Sequence, residues 1–100
     1  MQDLERVIQA LRENFPELRD RFSVSKIGVF GSFVKGNQND DSDVDIYVEF
    51  DRVPGLEFMD LSEQLERIVR KKVDLLTPSG LKSIRNARIR HDIEQSIRYV

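Results

Sequence analysis

Along this 100-residue chain, apolar and polar positions alternate with two different periods. Over residues 3–15, Leu4, Val7, Ile8, Leu11 and Phe15 recur every three to four positions, which predicts one apolar stripe on a helix, with Pro16 as its stop. Ser25 to Phe30 reads as a short β-strand broken by Gly31. From Asp43 to Phe50 the alternation is strict: Val44, Ile46, Val48 and Phe50 face one way, and Asp43, Asp45, Tyr47 and Glu49 the other. Pro54-Gly55 predicts a turn, and residues 56–70 a second amphipathic helix with Phe58, Leu61, Leu65, Ile68 and Val69 inward. Lys72 to Leu76 predicts a third strand, stopped at Thr77-Pro78-Ser79-Gly80. Ile89, Ile93, Ile97 and Val100 mark a C-terminal helix.

The eleven residues between Gly31 and Asp43 are too few for a parallel crossover built round a full helix, so the first two strands are expected to be antiparallel or splayed. The third follows a complete helix. The expected fold is α/β (α+β), a small mixed sheet flanked by helices, in a single domain over residues 1–100.

Composition changes the picture little. Hydrophobic residues make up 39% and charged residues 34%, which excludes a disordered chain, and no apolar run is long enough for a membrane span. The absence of cysteine removes disulfides, zinc-thiolate sites and a Cys nucleophile, and Met1 leads into charged residues rather than a signal peptide, so a cytoplasmic protein is expected. Charge is unevenly spread. Residues 1–66 carry 7 Lys/Arg against 15 Asp/Glu, and residues 67–100 carry 9 against 3. Such a division suits metal binding beside polyphosphate or a protein contact, and equally suits solvated helix faces.

The candidate chemistry lies in three pieces. Asp43 and Asp45, two positions apart on a strand, put carboxylates on one face about 7 Å apart, close enough to share a divalent cation or bracket two. Hard oxygen donors with no His or Cys beside them favour Mg²⁺ or Mn²⁺. The plainer alternative is a polar turn whose acids face solvent. Asp74 interrupts Val73, Leu75 and Leu76 in what reads as a buried strand, where an acid needs a cation or a basic partner such as Arg70, Lys71 or Lys72. Gly31-Ser32 follows the first strand and opens a short helical segment, with Ser32 as expected N-cap, a turn that can receive phosphate or merely cap a helix.

Together, Gly31-Ser32, Asp43-Val44-Asp45-Ile46 and Val73-Asp74-Leu75 resemble the nucleotidyltransferase superfamily of DNA polymerase β, with its hG[GS], [DE]h[DE]h and later third acid. The small size and the segments GSFVKG and SDVDIYVEF look most like its minimal nucleotidyltransferases, the MNT or MntA-type proteins. The resemblance implies that Asp43, Asp45 and Asp74 bind Mg²⁺ or Mn²⁺, with Asp74 also a possible base, and that Gly31 and Ser32 hold the phosphates of a nucleoside triphosphate such as ATP. It also implies the antitoxin half of a toxin–antitoxin pair, in which the hydroxyl of a HEPN-domain toxin receives the nucleotide. Many relatives carry Arg where Lys35 stands. An antitoxin acting by binding alone, or a transferase for a small hydroxylated molecule, are the rival readings. Arg85 and His91 match the R-x4–6-H pattern of HEPN ribonucleases, but those resemble all-α bundles and the match reads as coincidence. Nucleic acid is not the expected partner, since few aromatics interleave the basic stretch.

Overall fold

The computed structural model describes residues 3–39, 41–52 and 55–100. The elements are α1 (Leu4–Phe22), β1 (Val24–Phe30), α2 (Ser32–Lys35), β2 (Val44–Phe50), α3 (Glu57–Val69), β3 (Val73–Leu76), α4 (Pro78–Lys82), α5 (Ala87–Ser96) and β4 (Arg98–Tyr99). They form one four-stranded sheet in the order β3-β2-β1-β4. β1 pairs antiparallel with β2 and with β4, and β2 pairs parallel with β3, the mixed sheet that the short first connection demands. The predicted Pro54-Gly55 turn lies partly outside the described residues.

Helices α1 and α3 contact each other and cover one face of the sheet. Val7, Ile8, Leu11, Leu18 and Phe22 of α1 and Leu61, Leu65 and Val69 of α3 are buried against Val24, Ile27 and Val29 of β1 and Val44, Ile46 and Val48 of β2. Each such side chain contributes roughly 1.5–3 kcal/mol when withdrawn from water.

The first helix does not stop at Pro16. The ring forfeits one backbone hydrogen bond, but Leu18 and Phe22, further along the same helix, are buried, and their burial offsets that loss. Asp3 caps the start, accepting from the Arg6 N–H at 3.0 Å.

The C-terminal region departs furthest from expectation. Thr77 does not merely end β3: its Oγ1 accepts from the Gly80 N–H at 3.1 Å and starts α4, with Pro78 in the first turn. α5 has no buried residue, and Ile89 is 51% exposed, so Ile89 does not anchor the helix to the core. Ile97 lies beyond α5 and leads into β4, which brings Val100 back against the core.

Gly28 lets β4 close on the sheet. It pairs with Tyr47 on one side and Tyr99 on the other, and a β-carbon built there would lie 2.6 Å from Ile97 Cγ2 and 2.9 Å from the Arg98 carbonyl oxygen. Gly28→Ala should displace β4 and cost about 1–3 kcal/mol. Hydrogen exchange would show it as selective loss of protection at the Val100 N–H, which donates to the Ile27 carbonyl at 3.1 Å. Unchanged protection would mean that β4 adapts freely.

Candidate active site

The face of the sheet away from α1 and α3 carries the polar side of β2. Backbone register aligns three strands in one row: Phe30 of β1 opposite Asp45 of β2, and Asp45 opposite Asp74 of β3. Gly31 and Ser32 follow Phe30 directly, so the glycine turn stands on one side of Asp45 and Asp74 on the other. Asp43 precedes β2, where the Val44 N–H donates to the Lys72 carbonyl at 2.9 Å and ties the entrance of β2 to that of β3.

Asp45 is half-buried, whereas Asp43 and Asp74 are exposed. The Asp45 carboxyl is held above its usual value of 3.8, first by burial, then by the charges of Asp74 and Asp43. Asp45 therefore senses both other acids. The expectation that Asp74 is buried is corrected. β3 is an edge strand with an open outer face, and among the described residues no ion pair holds Asp74. What brings Asp74 to Asp45 is strand register.

Gly31 adopts φ 76° and ψ −144°, a combination that glycine alone adopts comfortably, and a β-carbon there would overlap Asp45 Oδ2. The glycine thus lets the turn lie directly against the central carboxylate. The expected N-cap is also corrected: Gly31 occupies that position, its carbonyl accepting from the Val34 and Lys35 N–H groups at 3.1 Å each, and Ser32 is the first helical residue. Ser32 is half-buried beside the site; Lys35 is exposed.

Further along the row of polar positions, Tyr47 is 5% exposed rather than solvated. Its hydroxyl donates to Glu49 Oε2 at 2.8 Å, and its ring meets Tyr99 edge to face at 6.3 Å. This packing closes the sheet face beyond Asp45 and leaves the acids at its open end.

The acids suit a divalent cation by donor type. Among the described residues, however, no three acidic or His side chains are gathered tightly enough to grip an ion as they stand. Burial and the charges of Asp74 and Asp43 raise the pKa of the Asp45 carboxyl, and that penalty on its charged form is what a cation would relieve.

Sequence reasoning missed a feature next to the acids. Arg70, Lys71 and Lys72 entered it only as salt-bridge candidates for Asp74, yet with Asp41, Ser42 and Asp43 they line a cleft of about 450 Å³. The three consecutive cations between α3 and β3 were the available signal.

Residues 4–100 match the nucleotidyltransferase domain family. The chain is 48% identical over 84 residues to the protein adenylyltransferase MntA of Thermococcus cleftensis, an alignment covering 83% of this chain and 85% of that one. A solved structure described as a minimal nucleotidyltransferase superposes with a TM-score of 0.73 at 30% identity, covering 97% of this chain and 95% of that one. The complex of a tri-AMPylated Shewanella oneidensis HEPN toxin with its MNT antitoxin shares the fold, with a TM-score of 0.52 at 19% identity over 95% of this chain and 66% of that one. This chain belongs to the nucleotidyltransferase domain family, among its minimal, MntA-type members, and is a nucleotidyltransferase.

Proposed function

We propose that this chain transfers AMP from ATP to a hydroxyl of a partner protein, and that it acts as the antitoxin of a HEPN-domain toxin. The observation that carries the reading is the row in which Asp45 lies between the Gly31-Ser32 turn and Asp74, with Asp43 acting on the same carboxylate. The similarity to a protein adenylyltransferase supports AMP as the transferred group, and the HEPN–MNT complex supports the class of partner.

In the proposed reaction the acceptor oxygen bonds to the α-phosphorus of ATP as the bond from that phosphorus to the β-phosphate bridging oxygen breaks. Pyrophosphate leaves, and Asp74 or solvent takes the hydroxyl proton. Gly31 and Ser32 hold the triphosphate, using the close backbone approach at Gly31 and the N–H groups of a helix start that lack intrahelical partners. Asp43, Asp45 and Asp74 would hold Mg²⁺ or Mn²⁺, which supplies charge neutralisation for the attacking and leaving oxygens. Positioning supplies much of the remaining catalysis. The exposed face of α5, with Ile89 among Arg88 and His91 and with Arg85 just before the helix, is the proposed docking region for the toxin, whose Tyr, Ser or Thr hydroxyl reaches the acids. A tyrosine is the acceptor favoured by the family resemblance.

Incubation with labelled ATP, Mg²⁺ and the cognate HEPN protein should give an AMP adduct visible by mass spectrometry. Silencing of the toxin without an adduct would replace this reading by neutralisation through binding. Mg²⁺ or Mn²⁺ with ATP should also raise the melting temperature by mass action, by about 2.7 kcal/mol of stabilisation at a hundredfold excess over Kd. An unchanged melting temperature at millimolar concentrations would remove the assigned site.

A further inference from the structure

Beyond the acids, the same sheet face carries a second cluster of charges, gathered round one phenol. The chain has two tyrosines. Tyr47 is buried, with its hydroxyl committed to Glu49. Tyr99 is half-exposed, and its hydroxyl makes no hydrogen bond among the described residues. Three charged side chains stand near it. Lys26 Nζ lies 5.6 Å from the centre of its ring. Burial, then the charges of Glu49 and Glu94, hold its hydroxyl above the usual value of 10.0, so both carboxylates act on the phenol. Packing edge to face against Tyr47 needs only the ring, and the fold leaves the Tyr99 hydroxyl without a purpose.

Each member of this cluster suits a hydroxyl that receives an adenylyl group. The phenol oxygen is a nucleophile, the carboxylates accept the proton it sheds, and the ammonium is a charge-assisted partner for the phosphodiester that results. The acids of the same molecule are not in reach. Tyr99 stands across β1 from Tyr47, two strand spacings or roughly 10 Å away, and Tyr47 lies two residues, roughly 7 Å, along β2 from Asp45. The ring is held by Tyr47, and β4 by its pairing with β1. A second copy of the chain meets Tyr99 from solvent and has no such constraint.

Resting on the proposed adenylyl transfer, we infer that Tyr99 is itself an acceptor, adenylylated by a second copy of this chain. The Tyr99 hydroxyl oxygen bonds to the α-phosphorus of ATP held by the second copy, and the bond from that phosphorus to the β-phosphate bridging oxygen breaks. Pyrophosphate leaves, the phenol proton passes to Glu94 or Glu49, and AMP remains on Tyr99 as a phosphodiester beside Lys26. The HEPN protein and Tyr99 then compete for the same acids, so the chain modifies itself chiefly where the toxin is scarce.

The full chain alone, incubated with labelled ATP and Mg²⁺, should acquire AMP, and peptide mass spectrometry should place it on Tyr99. The rate per molecule should rise in proportion to protein concentration. The Asp45→Asn chain should stay unlabelled by itself and become labelled at Tyr99 when mixed with wild type. Tyr99→Phe keeps the ring against Tyr47; it should lose the label and still transfer AMP to the HEPN protein. Lys26→Gln should slow self-labelling about tenfold and leave transfer to the HEPN protein unchanged. A label that persists in Tyr99→Phe, a rate per molecule independent of concentration, or an Asp45→Asn chain that wild type cannot label would each overturn the assignment. Wild type that labels the HEPN protein and never itself would overturn it too, and leave the proposed function standing. A label on Tyr99 with none on the HEPN protein would instead support the inference and remove that toxin as acceptor.

Discussion

Asp45→Asn is expected to abolish transfer, by at least about a thousandfold, and to raise the melting temperature of the metal-free protein. The loss of activity follows from the position of Asp45, between Asp74 across the strand pair and the Gly31 turn. A thousandfold corresponds to about 4 kcal/mol of transition-state stabilisation, within reach of a lost charge at the reacting phosphorus. The gain in stability follows from the carboxyl's environment. Burial and the charges of Asp74 and Asp43 hold its pKa above 3.8, so between 3.8 and the raised value the folded state keeps a proton that the unfolded chain has released. The fold therefore loses stability as pH rises through that window, and above it the full penalty stands. Asparagine carries no charge to penalise. The melting-temperature advantage of the variant should widen as pH rises from about 4 and then level off, and saturating Mg²⁺ with ATP should reverse it. A thermal series across pH, with and without metal and nucleotide, reads all three parts. A variant less stable than wild type at neutral pH without metal would show that Asp45 has a structural partner instead.

Gly31→Ala should lower transfer by about a hundredfold or more and destabilise the fold by about 1–3 kcal/mol. Two effects act at one atom. The backbone at φ 76° and ψ −144° strains any side chain, and the new methyl group would overlap Asp45 Oδ2. Relief requires the turn or the carboxylate to move, and a displacement of about 1 Å at reacting groups is enough for such a loss. Gly36 provides the control. It too has a positive φ, 78°, but a β-carbon there meets nothing within 4 Å. Gly36→Ala should cost about 1–2 kcal/mol through strain alone and leave transfer at saturating ATP near wild type. Equal loss of transfer in the two variants would show that the contact between Gly31 and Asp45 is immaterial.

The sequence made the helical stripes, the antiparallel first pair and the parallel third strand legible, because each rests on a period or a connection length. Pro16 was misleading because a local preference opposes the burial of Leu18 and Phe22, which the stripe over residues 3–15 did not include. Asp74 was selected for a wrong reason. Its neighbours suggested burial, yet its relation to Asp45 comes from pairing between strands, which one segment read alone does not reveal. The second half of the C-terminal region was illegible for a similar cause. Ile97 and Val100 continue the spacing of Ile89 and Ile93, but Gly28 offers a place on β1 where a returning chain can pair, and two residues of β4 take it. The Arg70–Lys72 cleft depends on which loops meet, at the entrances of β2 and β3.

The edge position of β3 has a consequence for solubility. At the opposite end of the sheet β4 guards the flank of β1 with only two residues, while β3 leaves a row of backbone donors and acceptors open to any other extended chain. Natural sheets blunt such edges by keeping them short and charged. β3 is four residues long, preceded by Lys72 and interrupted by Asp74 between Val73 and Leu75. The acid assigned to chemistry thus also acts as a gatekeeper against edge-to-edge association. An apolar residue at position 74 would turn Val73 to Leu76 into an uninterrupted β-prone run on an unprotected edge, and such a chain would lose colloidal stability together with its third carboxylate.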